Sequence, residues 1–165
     1  MKRTAFLSAA AALAALVVSA SASAQDTVSA ADPAGLARAM KFAGFDAELT
    51  TDDVGDPMIR TSFDGYTGVV LFYDCDAETH EGCASIQLHA GLDRKQPMAA
   101  DMALSLARRY RFASVHLDEE GDPWINWDVL TGDGLPREIF VKALRRYAAT
   151  LDNLADEVFA EERGN

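Results

Sequence analysis

Apolar side chains along this chain follow two rhythms, one of nearly four residues and one of two, and the switches between them mark out the elements. Leu36, Ala39, Met40 and Ala43 share one helical face. Asp32-Pro33 precedes them as a capping carboxylate with a first-turn proline, and Gly44 comes after as a stop. Ala47, Leu49 and Thr51 then alternate with polar neighbours, and Ile59, Thr61 and Phe63 resume the alternation after DDVGDP. Asp64-Gly65 predicts a tight hairpin into YTGVVLFYD, whose nearly continuous apolar run suits a strand buried on both faces or central in a sheet. In ASIQLHAGL, Ile86 and Leu88 fall on one face and Ser85, Gln87 and His89 on the other.

Pro97 is expected to open a second helix, with Met98, Met102, Ala103, Leu106 and Tyr110 at helical spacing. Arg108, Arg109 and Arg111 gather near that helix's end, where cations favour the dipole. FASVHLD and PWINWDVL read as a second hairpin joined by EEGD. After TGDG a long helix is expected from about Pro136 to Glu162, with Phe140, Ala143, Leu144, Tyr147, Leu151, Leu154 and Val158 as its apolar stripe. Such a helix would reach about 40 Å, longer than a small sheet is wide, so its acidic end is expected to overhang or fray. Leu135 stands before Pro136 where a capping side chain is expected, and Asp133 is the nearest substitute. The order α-ββββ-α-ββ-α predicts the α+β class, an antiparallel sheet with helices packed on one face.

The N-terminus changes the expected compartment. Lys2 and Arg3 precede a small and apolar run from Ala5 to Val18, and Ala22-Ser23-Ala24 fits the small-x-small pattern of signal peptidase. Residues 1–24 therefore read as a cleavable signal peptide, too short in its apolar run for a span of roughly 20 residues, and 25–165 as a single periplasmic domain. Removing those residues leaves 13 basic against 26 acidic side chains, a formal charge of −13. Such a surface repels phosphate backbones and anionic headgroups, which argues against nucleic acid and against membrane attachment after cleavage.

Cys75 and Cys83 bracket DAETHEG. In an oxidising compartment they are expected to form a disulfide; the competing zinc reading would recruit His80 but lacks a fourth ligand. DDVGDP at 52–57 returns as DEEGDP at 118–123. A calcium loop wants oxygens at positions 1, 3 and 5 with Gly at 6; here Gly comes fourth, and a turn is the better reading. No nucleophile elbow, phosphate loop, dinucleotide motif or paired-His metal helix occurs, so no catalytic, metal or cofactor residue is assigned. Strand parity places Met58, Arg60, Gln87, His89, His116, Trp124 and Asn126 on the face away from the helices, with Ile59, Ile125, Trp127 and Val129 inward. That outer face is the candidate surface for a protein partner or for self-association into a homodimer.

GFDAELTTDDVGDPMIRTSFDG, the Phe72-Tyr73 strand before Cys75, CASIQL, and RRYRFASVHLDEEGDPWINWDV together resemble the YbjN family, a bacterial family linked to sensory-transduction regulation. The resemblance runs from about Asp32 to Phe159. It implies a fold similar to type III secretion chaperones, a twisted antiparallel sheet with helices against it and frequent pairing into dimers. It supplies no catalytic motif. The expectation is an exported, non-enzymatic binding or regulatory module acting by protein–protein contact. The alternatives are a small periplasmic hydrolase or metal-dependent enzyme, favoured if His89, His116 and a carboxylate converge in a pocket, or a secreted inhibitor.

Overall fold

The computed structural model describes residues 26–160 and 162–164; the expected signal peptide lies outside the described residues. The first half comprises β1 (Thr27–Val28), α1 (Pro33–Phe42), β2 (Glu48–Thr51), β3 (Pro57–Phe63), β4 (Tyr66–Tyr73) and β5 (Ser85–Gly91). The second half comprises α2 (Ala100–Arg109), β6 (Ser114–Leu117), β7 (Pro123–Leu130), β8 (Leu135–Pro136) and α3 (Arg137–Val158). The expected α+β class and the order α-ββββ-α-ββ-α are both present, with β1 and β8 as additions.

Both acidic hexapeptides are turns, and they are the same turn. The Asp52 Oδ1 accepts from the amides of Val54, Gly55 and Asp56 at 2.9–3.0 Å. The Asp118 Oδ1 accepts from those of Glu120 and Asp122 at 3.1 and 2.8 Å. Gly55 and Gly121 take φ of 102° and 84°, where a side chain is disfavoured. Each turn sets one hairpin register: Glu48 pairs with Arg60 and Thr50 with Met58, and 66 positions later Ser114 pairs with Asn126 and His116 with Trp124. The helix–hairpin unit thus occurs twice, and the six-stranded order β2-β3-β4-β5-β7-β6 puts one copy at each edge with β4 and β5 between. Asp64 and Gly65, both at positive φ, close the expected β3–β4 hairpin.

Alternation gives the sheet one largely apolar face, with the buried Thr61 as a polar member whose hydroxyl donates to the Asp46 carbonyl. Ile59, Phe63, Val70, Ile86, Leu88 and Ile125 are wholly buried there, together with Leu36 and Met40 of α1, Leu106 of α2, and Phe140, Leu144, Leu151 and Leu154 of α3. Tyr147 of α3 stands at the centre, edge-on to Phe63 at 4.7 Å and to Trp127 at 6.3 Å, its hydroxyl donating to the Ile125 carbonyl at 2.8 Å. Trp127 is thereby a partly buried member of the core.

Four local expectations need correction. The last helix stops at Val158, and its acidic end neither overhangs nor frays over that length. Leu154, Ala155 and Val158 are buried, Glu157 accepts from Arg109 and Tyr110, and Glu162 accepts from the Lys95 amide and Arg94. Asp133 does not cap that helix. The Arg137 amide donates to the Asp26 carbonyl because β1 pairs with β8. The second helix begins at Ala100, three residues after Pro97: Ala99 is extended at φ −68° and ψ 137°, and the Met98 amide donates to the Gly121 carbonyl at 2.9 Å. Leu49 pairs with the buried Ile59 and shares its side of the sheet but is 44% exposed, on the edge strand β2.

Cys75 and Cys83 are joined, as expected. His80, the zinc candidate, instead donates through Nδ1 to the Asp56 Oδ1 at 2.8 Å, tying the cystine loop to the first turn. Closing a loop of this length restricts the unfolded chain by about 2.5 kcal/mol in the chain-entropy treatment. Among the described residues no helix is long and apolar enough to cross a membrane.

The cystine and the glycine turns can each be tested through stability. Cys75→Ala with Cys83→Ala is expected to lower unfolding free energy by about 2–3 kcal/mol, read by denaturant titration against the oxidised wild type; an unchanged midpoint would show that the bridge does not constrain the chain. Gly121→Ala is expected to lose more than Gly44→Ala. Both residues have positive φ, costing about 1–2 kcal/mol for a side chain, but a Cβ on Gly121 would lie 2.6 Å from Pro97 whereas one on Gly44 meets nothing. Equal melting temperatures for the two variants would rule out the clash.

Candidate functional site

The face opposite the helices is assembled by the same registers. Glu48, Arg60, Val69, His89, Asn126 and Ser114 form one continuous row across all six strands. Thr50, Met58, Leu71, Gln87 and Asp128 form the row beside it. On the other side of the first row, Gly91 pairs with Trp124 and Trp124 with His116. All seven residues assigned from strand parity, Met58, Arg60, Gln87, His89, His116, Trp124 and Asn126, therefore lie on one surface.

Val69 and Leu71 join that surface without having been assigned to it from the sequence. Their signal is the continuous apolar run of β4. A central strand with apolar residues at every position must turn half of them away from the core, and these two are half-buried only by their neighbours. Asp128 is a further member, which the parity of Trp124 and Asn126 already implies although it was not assigned to the face; its Oδ1 accepts from the Gln87 Nε2 at 2.8 Å.

The Trp124–His89 pair is held from several directions. The rings stack at 4.5 Å and 20°. Trp124 Nε1 donates to the Asp118 Oδ2 at 2.8 Å, so the carboxylate that closes the second turn also orients the indole. A Cβ on Gly91 would lie 3.0 Å from that indole, which shows the ring lying directly over the β5 backbone. His89 Nδ1 donates to the Asn126 Oδ1 at 2.6 Å, and the Asn126 Nδ2 reaches toward the His116 Nδ1 at 3.5 Å. That assignment of the amide leaves His89 Nε2 as an acceptor. Its bonds to Trp124 and the turn amides hold the Asp118 carboxyl below the usual carboxylate range.

Beside this pair runs a shallow cleft of about 430 Å³. Val69, Leu71, His89 and Trp124 line it with Asp93, Asp118 and Asp122. Two of its carboxylates are engaged structurally, Asp118 by the turn amides and the indole, and Asp122 by accepting from the Arg94 amide at 2.9 Å. His116 does not line the cleft, and both His89 and His116 are directed to Asn126 through Nδ1. In this cleft His89 stands beside carboxylates without His116, and the two imidazoles meet at Asn126. Among the described residues no group of three or more His, Cys, Asp or Glu is placed to hold a metal ion.

The profile of the YbjN family, described as "Putative bacterial sensory transduction regulator", matches residues 32–160, which include every element from α1 to α3 and the whole of this face. No curated protein matches the chain.

Burial lowers the His89 pKa below the ordinary histidine value of 6.5, the charge of His116 adds to the depression, and the hydrogen bond to Asn126 opposes it. The unfolded chain then binds a proton that the folded chain refuses. The resulting stabilisation is complete above the ordinary value and is lost as pH falls from there through the lower folded value. Wild-type protein is expected to lose melting temperature more steeply than His89→Gln as pH falls from about 7 to about 5. Parallel profiles would show that His89 is not held neutral.

Proposed function

The chain belongs to the YbjN family, and on that premise we propose that it is an exported, non-enzymatic regulatory module that acts by binding a protein through the outer face of its sheet. The arrangement around Trp124 carries this reading. The indole is fixed by Asp118, His89 and Gly91 before any partner arrives, and it shares its cleft with the apolar side chains Val69 and Leu71. Large aromatic side chains immobilised in advance lose little entropy on binding and are the residue type on which interface energy concentrates. Arg60 and Glu48, paired at the edge of the same row, supply the charged rim.

Export is supported by the N-terminal sequence and by the cystine, which persists in an oxidising compartment. The hydrolase alternative has less support, since Asp118 and Asp122 beside His89 are spent on backbone amides and on the indole.

Trp124→Ala combined with Arg60→Glu is the direct test. Affinity capture from periplasmic extract, with mass-spectrometric identification and a parallel measurement of oligomeric mass, is expected to lose the proteins specific to the wild type. Identical captured proteins and an identical oligomeric mass would remove the sheet face from the function.

A further inference from the structure

On a chain of formal charge −11, six basic residues are concentrated in two short stretches: Arg108, Arg109 and Arg111 at the end of α2, and Lys142, Arg145 and Arg146 along α3. Three of them, Arg109, Arg111 and Arg146, line one cleft of about 280 Å³, together with Tyr110, Thr150 and Asn153, and no carboxylate lines it. Glu157, just outside, pairs with Arg109 and accepts from the Tyr110 hydroxyl at 2.6 Å, which fixes one wall and neutralises one cation. Arg111 and Arg146 make no ion pair among the described residues.

Arg111 is nevertheless positioned. Its guanidinium lies 5.1 Å from the centroid of the Phe112 ring, and that ring stacks at 5.1 Å on Trp127 of the core. Phe112 holds this place at φ 69°, a backbone conformation that bulky residues rarely adopt, while remaining 67% exposed. An exposed aromatic kept in a disfavoured conformation as the base for an unpaired arginine is what ligand sites look like when local strain is tolerated for position. Guanidinium groups present paired donors matched to phosphate oxygens, and the cleft is at the small end for ligand sites.

We propose that this cleft, on the helical side and independent of the sheet face, binds a small, multiply charged phosphate-type oxyanion between Arg111 and Arg146. The probe is inorganic pyrophosphate, titrated calorimetrically into the purified protein at constant ionic strength. Saturable binding is expected, weakened by about tenfold or more in Arg111→Gln and in Arg146→Gln, each removing about one charge-assisted contact. Lys142→Gln changes net charge equally but lies outside the cleft, and is expected to bind as the wild type does. Absence of saturable binding, or equal weakening in all three variants, would overturn the site, the latter by showing a response to charge alone. Circular dichroism of each variant checks that the helices are intact.

Discussion

The register of the six-stranded sheet is the constraint on which everything else rests, and two aspartates set it at its edges. A strand presents alternate residues to opposite faces, so a slip of one position would send Ile59 or Ile125 to water and bring Met58 or Trp124 inward. Asp52 and Asp118 prevent that by collecting the amides of a tight turn on one carboxylate oxygen. The glycine of each turn then meets a distant segment, Gly55 meeting His80 of the cystine loop and Gly121 meeting Pro97 before α2. Two copies of one short sequence thus fix the hairpins, and they also seat the segments after β4 and β5 against those hairpins.

Magnitudes decide what holds the helices to the sheet. Each large side chain buried from Leu36 to Leu154 contributes about 1.5–3 kcal/mol, while an exposed pair such as Arg38–Asp32 is worth about 0–1 kcal/mol. The apolar stripe therefore attaches α3, and the charged contacts locate its end. Arg94 is the exception, because its side chain is 3% exposed. Taking a guanidinium out of water is costly unless it is paired, so Glu162 is drawn in from the tail and the chain beyond α3 folds back onto the loop after β5.

Much of this is legible from periodicity alone, because helices and strands facing a single core must repeat at their own spacing. The two turns, the β3–β4 hairpin, the capping by Asp32 and the inward and outward residues of β5 and β7 are all written in patterns within a few positions. The features that escape depend on partners far along the chain. No local pattern tells Leu135 and Pro136 that they will pair with Thr27 and Val28, so the sequence points to an Asp133 cap where the Arg137 amide instead goes to the Asp26 backbone carbonyl. Pro97 resembles a helix start because the extended backbone of Ala99, beside the contact of this stretch with Gly121, is invisible from residues 97–100. The acidic end of α3 suggests solvent until Arg109 and Arg94 come beside it. Val69 and Leu71 are readable as apolar but not as outward, since the side on which a central strand keeps its helices is decided by its neighbours.

The candidate face inherits its rigidity from the same device that builds the sheet. Asp118 gives one oxygen to the turn and the other to Trp124, so the geometry of the hairpin and the orientation of the indole share a single carboxylate. His89 reaches Trp124 from β5 and Asn126 on β7, which links the centre of the sheet to its edge unit. On the proposed reading, a partner meeting this face would encounter side chains whose freedom was already lost on folding, which lowers the cost of association. It also means that substitution at Asp118 mixes folding with recognition. Trp124 donates to the Oδ2 of Asp118 while the turn amide of Asp122 uses Oδ1, so its substitution leaves that turn bond in place and separates the two.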